Sequence, residues 1–366
     1  MTILELMIYG LFLIWLIEKF FNSELKSIFQ FFTEDKFWFY PIFLIFLGVT
    51  ISTLFSNNIQ TSAGIWKGWF LAPLLFLIVL INNIKIKEQI RNIVFALFLS
   101  GTVVSLIAFF YWLNNNLTYD GRLQAFYLSP NYLAMYLSPI LILSFYLYFC
   151  VKKNIYKIIL FIIYCLFFVI IYLTYSFGAW LGLFIALIFI IINSRKEKIN
   201  FSYLLIGILF LLLVCLLFGQ MPNKKLQGFL DFSYPSLKSR LIIWQSAWEI
   251  IKDHSLIGIG PGMFQKYYLE YQNKFKPYLE WAVPQPHNVF FAFWLQAGLI
   301  GLIGFIWLLI IFFRSKYSTL NTILMAAMIY ILIHGLIDAT YWKNDLSIIF
   351  WIITALSYTK IRFFYL

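Results

Sequence analysis

Charge is scarce in this 366-residue chain: Asp, Glu, Lys and Arg make up 11% of it, against about a quarter in an ordinary globular protein. That shortage excludes a soluble domain as the bulk of the molecule. Acidic residues number 15 against 27 basic ones. The excess positive charge is spread over short segments without the aromatic interleaving of a nucleic-acid platform, so nucleic acid is not an expected partner. Cysteine occurs three times, at Cys150, Cys165 and Cys215, always in an apolar run. That spacing fits neither a zinc site nor a redox pair, and no metal or disulfide is expected. Nor is there a serine or cysteine triad, a metal cluster or a Walker loop. The first apolar stretch, Ile3 to Phe21, lacks the basic lead-in and small-residue cleavage pattern of a signal peptide and reads as a retained span.

What the chain has in abundance is apolar and aromatic surface: 63% hydrophobic residues, 22% aromatic, and a mean hydropathy of +0.86. A helix rising about 1.5 Å per residue needs about 20 apolar residues to cross a bilayer. Runs near that length cover residues 2–20, 37–55, 68–82, 92–113, 130–150, 157–175, 178–193, 201–219, 288–313, 320–338 and 346–362, about eleven in all. The expected fold is an all-α polytopic membrane protein. Its short loops divide by charge. One alternate set holds Lys85, Lys87, Arg91, Lys152, Lys153, Lys157, Arg195, Lys196, Lys198, Arg314 and Lys316, joined by Lys360 and Arg362 of the tail; the other holds only Lys67, Arg122 and Lys343. The C-terminus is therefore expected on the cytoplasmic side.

Three segments follow: 1–219 with eight spans, a long loop over 220–287 on the outer side, and 288–366 with three spans. The loop is the one sizeable extramembrane element, where chemistry is expected. Within it Leu237, Leu241, Trp244, Trp248 and Ile251 recur at helical spacing, predicting an amphipathic helix on the membrane surface with Arg240 at the edge of its polar face. Gly258-Ile259-Gly260-Pro261-Gly262 reads as a turn in preference to a phosphate cradle, because it lacks the lysine and strand of a nucleotide loop. Pro277, Pro284 and Pro286 then lead to His287 and Asn288 at the start of a span, and proline's fixed backbone should hold His287 at the membrane boundary.

Of the three histidines, His254 follows an acidic residue in a polar stretch and reads as solvated. His334 lies inside a span, as a packed or a working group. His287 stands where an imidazole could take a proton from a hydroxyl as a general base. Arg122 and Arg240, the outer-side arginines, are either headgroup anchors or forked donors to a phosphate or pyrophosphate. Asp338, at the outer end of a span, either orients a partner or pairs with Lys343.

Four stretches resemble the O-antigen ligase and polymerase family. They are Gly121-Arg122 leading into Ser129-Pro130-Asn131-Tyr132-Leu133-Ala134; Ser239-Arg240 with Trp244 and Ala247, followed by Leu256 to Gly262 and Phe264; Pro286-His287-Asn288 followed by Gln296 to Leu302; and Thr174 to Trp180. The second and third, in this order on one loop, are the specific part. The resemblance implies a GT-C-like helical glycosyltransferase of the bacterial inner membrane, multi-pass among membrane lipids, with its active site facing the periplasm. Its implied donor is a glycan on undecaprenyl pyrophosphate, used without cofactor, nucleotide sugar or metal. By the same resemblance His287 matches the histidine proposed to activate the acceptor hydroxyl and Arg240 an arginine that engages the donor pyrophosphate; beside them the residues themselves suggest Arg122 as a helper and Asn288, Asp338 and His334 in supporting places. Direct displacement would invert the anomeric centre. The fourth stretch departs from the family's Ser-Arg-Gly: Phe177 stands at the arginine position. Either Arg122 or a loop lysine supplies that charge, or the donor differs, or the protein is impaired.

The favoured expectation is ligation of O-antigen to lipid A core in lipopolysaccharide synthesis. Within the family the alternative is a polymerase whose acceptor is a second lipid-linked glycan, or transfer to a protein hydroxyl. Outside it the rivals are a transporter of a lipid-linked or small anionic substrate, to which His334, Asp338 and Phe177 would point, and a structural scaffold.

Overall fold

A computed structural model describes residues 2–24, 36–194, 235–276, 280–314 and 318–365. Every regular element among them is helical. In chain order these are α1 (Ile3–Phe21), α2 (Lys36–Leu54), α3 (Ile59–Asn83, with a π-helical turn over Trp66–Leu71), α4 (Lys87–Leu113), α5 (Pro130–Cys150), α6 (Asn154–Leu173), α7 (Phe177–Ser194), α8 (Pro235–Asp253), α9 (Phe264–Tyr271), α10 (Val289–Phe313), α11 (Thr319–Gly335) and α12 (Asn344–Tyr365). Six of them, α2 to α6 and α10, are long and apolar enough to cross a membrane, and α7 and α11 are shorter apolar helices. The chain is thus a multi-pass helical membrane protein. The run expected over 201–219 lies outside the described residues, as does the start of the long loop up to residue 234.

The chain forms two compact units. The first gathers residues 1–84, 227–315 and 335–366. Its axis is the crossing of α2 with α10. Without a hydrophobic drive between helices in lipid, close association depends on small residues that let backbones touch, and here they are Gly48, Ala297, Gly301 and Gly304. A Cβ added at Gly304 would stand 2.7 Å from the Ile45 amide nitrogen and 2.8 Å from the Pro41 carbonyl oxygen; one at Gly48 would stand 2.6 Å from the Ala297 oxygen.

Helix α10 breaks in its middle. Gly298 adopts φ 67° and ψ −177°, a conformation that favours glycine, and the break frees the Leu295 carbonyl and the Leu299 amide from the helical ladder. Both are taken up by the turn after α8: Ile259 N–H donates to Leu295 O at 2.6 Å and Leu299 N–H donates to Leu256 O at 3.0 Å. The glycine turn is seated further by Gly260 N–H on Ser52 Oγ (3.0 Å) and Gly262 N–H on Gln296 Oε1 (2.9 Å). Its amides are thereby spent on protein acceptors, in keeping with a turn.

Around this seat the segment between α8 and α10 builds a core of its own from Ile243, Ala247 and Ile250 of α8, Phe264 and Tyr268 of α9, Val283 and Leu295. The face of α8 turned inward is thus a different one from the stripe expected at the membrane surface. Among the stripe's described side chains Leu241 and Trp248 are 53% and 42% exposed, Trp244 is half-buried and Ile251 is buried. The helix is apolar on two sides, and the side with the smaller and branched residues meets the protein.

The second unit, residues 85–226 and 316–334, contains α4 to α7 and α11 up to His334. Arg122 is its polar hub: Nε donates to the Thr174 carbonyl at 2.8 Å and Nη2 to Asn131 Oδ1 at 2.6 Å, joining two of the four stretches singled out in the sequence.

Alanine at Gly48 or Gly304 should lower the melting temperature of the detergent-solubilised protein, by an overpacking cost of about 1–3 kcal/mol. Gly10→Ala on α1, where an added Cβ meets nothing within 4 Å, should not lower it. Circular dichroism melts of the three variants check this.

Candidate functional site

His287 sits between Pro286 and the cap of α10, at φ 47°. A non-glycine residue in the left-handed region is uncommon and persists where its surroundings hold it. Two contacts do so. Trp244 Nε1–H, from α8, donates to the His287 carbonyl at 3.2 Å. The next residue, Asn288, caps α10 through Oδ1, which accepts from Phe290 N–H (2.9 Å) and Phe291 N–H (3.1 Å), while its Nδ2 donates to Leu336 O at 3.0 Å. One asparagine thus fixes the start of α10 to the residues just beyond α11.

That second strand of chain carries Asp338. Its Oδ1 lies 2.9 Å from His287 Nδ1 and accepts the Ala339 amide at 2.8 Å; its Oδ2 lies 3.9 Å from Arg240 Nη2. Arg240 is oriented by its Nε–H, which donates to the Ile337 carbonyl at 2.7 Å. Burial grades across the three side chains, at 7% exposed for Asp338, 15% for Arg240 and 25% for His287. The carboxylate is the concealed member and the imidazole the accessible one.

The chemistry follows from the donor inventory. A carboxylate accepts, so Nδ1 must donate, and the neutral ring then carries its lone pair on Nε2. The ring is set in the tautomer a general base needs, and the same carboxylate would stabilise the imidazolium once a proton is taken. Arg240 brings fixed positive charge beside it. The structure thus brings together three residues singled out in the sequence, His287, Arg240 and Asp338, with Asn288 as the element that positions two of them. Arg240 is turned toward Ile337 and Asp338 rather than toward the edge of a surface helix.

The others have different settings. His334 is buried in the second unit, where Tyr330 Oη donates to the Ala134 carbonyl at 3.1 Å and shares a 2.8 Å hydrogen bond with His334 Nδ1; that is a packed, hydrogen-bonded histidine. Arg122 belongs to the second unit. The ring of His254 packs edge-on against Tyr267. Phe177 packs edge-on against Trp180 in the same stretch of chain. Sequence reasoning missed Trp244 as a support for His287, although it stands one helical turn after Arg240 and so on the same face. It also missed the Ile337 carbonyl and the Ala339 amide, which no side-chain pattern encodes. Among the described residues no three His, Cys, Asp or Glu side chains gather as a metal site.

A family model described as O-antigen ligase matches residues 160–306, a span that includes Arg240, Trp244, His287 and Asn288. No curated protein matches the chain.

Trp244→Phe keeps an aromatic side chain but removes the indole N–H that bonds the His287 carbonyl, and loss of that hydrogen bond should cost about 0.5–1.5 kcal/mol. Arg240→Ala leaves a buried carboxylate short of a cation and should cost more, about 3–5 kcal/mol. Thermal melts of both variants in one detergent would show that order if the site is built as described.

Proposed function

We propose that this chain, whose residues 160–306 match the O-antigen ligase family model, is a membrane glycosyltransferase moving a glycan from a polyprenyl pyrophosphate to an acceptor hydroxyl. The observation that carries this reading is the Asp338 carboxylate, bonded to His287 on one oxygen and facing Arg240 on the other. In the proposed reaction His287 Nε2 takes the acceptor proton as the acceptor oxygen forms its bond to the anomeric carbon. The bond from that carbon to the pyrophosphate oxygen breaks, and the pyrophosphate leaves on its lipid with its charge met by Arg240. The proton ends on the imidazole, where Asp338 balances it. A single displacement of this kind inverts the anomeric centre.

Arg122 is engaged with Thr174 and Asn131 in the second unit, so the reading rests on Arg240. We take undecaprenyl pyrophosphate as the donor lipid, the periplasmic side of the inner membrane as the place of reaction, and lipid A core as the acceptor, which makes the protein a ligase. A polymerase, extending one lipid-linked glycan with another, would use the same three residues.

The test is transfer by purified protein given a polyprenyl-pyrophosphate glycan with either lipid A core or a second donor as acceptor. Wild type should form product with lipid A core. His287→Ala should lower the rate by about 10²–10⁴-fold, as expected for loss of a general base, with Asp338→Asn and Arg240→Ala also strongly impaired when rates are measured on the folded fraction of each variant. Product only from two donors would make it a polymerase, and no product from either would turn the reading toward a transporter.

A further inference from the structure

The residues that lead into the candidate site carry a feature the transfer chemistry does not use. Glu280 and Trp281 begin the segment that ends at His287, and their backbone is fixed from two sides. Tyr268 Oη–H donates to the Glu280 carbonyl at 3.1 Å and Gln272 Nε2–H donates to the Trp281 carbonyl at 3.1 Å. Val283, two residues on, is buried in the core shared by α8, α9 and α10. Yet the Trp281 side chain is 64% exposed. A large aromatic residue exposed on a backbone held from two sides presents apolar surface to a ligand at little entropic cost.

The carboxylate beside it is also set in place. Ser239 Oγ–H donates to Glu280 Oε1, while Glu280 Oε2 has no hydrogen-bond partner among the described residues. Ser239 is the residue before Arg240 on α8, and Arg240 faces Asp338, which holds His287. Glu280 is thus tied through Ser239 to the helix that carries Arg240, and Trp281 follows it on the segment that runs to the candidate base. An ionised carboxylate oxygen accepts hydrogen bonds from hydroxyls. An indole face packs on the apolar C–H face of a sugar ring.

We infer that Glu280 and Trp281 form a saccharide subsite beside His287, with Trp281 stacking on a pyranose and Glu280 accepting from its hydroxyls. The inference takes its substrate class from the transfer reading above, and the test separates the two. Two soluble probes are titrated calorimetrically into the full-length protein in nanodiscs: core oligosaccharide of lipopolysaccharide, and the glycan freed from a lipid-linked donor. Transfer kinetics are measured on the same preparations.

Trp281→Ala should weaken binding of one probe by about tenfold and raise the corresponding KM by a similar factor, with a smaller effect on kcat. Trp281→Phe should recover most of the loss, and Glu280→Gln, which keeps the contact with Ser239, should show a milder loss. Trp281-dependent sugar binding by a protein that transfers nothing would sink the transferase reading and leave the subsite standing. Transfer by wild type with KM and binding unchanged in Trp281→Ala would overturn the subsite alone. So would failure of both probes to bind wild type.

Discussion

A helix inside a membrane cannot leave backbone groups without partners, because the hydrocarbon offers none. Helix α10 is broken at Gly298, so the Leu295 carbonyl and the Leu299 amide have to be satisfied from elsewhere in the protein. The turn between Leu256 and Gly262 supplies the partners, and much else depends on that exchange. Seating the turn fixes the end of α8; α8 then carries Trp244 to the His287 carbonyl and Arg240 to Ile337 and Asp338. The cap formed by Asn288 completes the frame from the other side. The candidate base is positioned by backbone satisfaction first and by its own side-chain contacts second.

The sequence made some of this legible and hid the rest for identifiable reasons. Apolar runs marked α2, α5 and α10 to within a few residues, because lipid-facing and core-facing positions are alike apolar. The same likeness conceals that α8 is apolar on two sides: Leu241 and Trp248 mark the stripe expected at the membrane surface, while Ile243 and Ile250 form the face that packs with α9 and α10. Helix α3 begins at Ile59, nine residues before its apolar run, since Gln60, Thr61 and Ser62 extend it without hydrophobicity.

At the site, ionisable residues at the ends of apolar runs were visible because such residues are scarce. His287, Arg240 and Asp338 stood out singly. Their juxtaposition was not visible, since 51 residues separate His287 from Asp338 and tertiary contact alone joins them. Asp338 was weighed as an orienting group or as a partner of Lys343, and its Oδ1 faces His287. For Arg122 the sequence suggested a headgroup or a leaving group, and the Thr174 carbonyl that it bonds has no signature at all.

The interlock of α10 with its turn has a bearing on how the protein can change over generations. A side chain at Gly298 would run into the Leu256 and Ile257 carbonyls, and one at Gly258 into the Leu295 carbonyl. Each glycine is hemmed in by the backbone of the other's segment, so replacing one does nothing to make room at the other. A lineage departing from this arrangement would have to alter both segments together, through an intermediate sequence that seats neither. Outward side chains such as Trp281 can be exchanged without disturbing the lock.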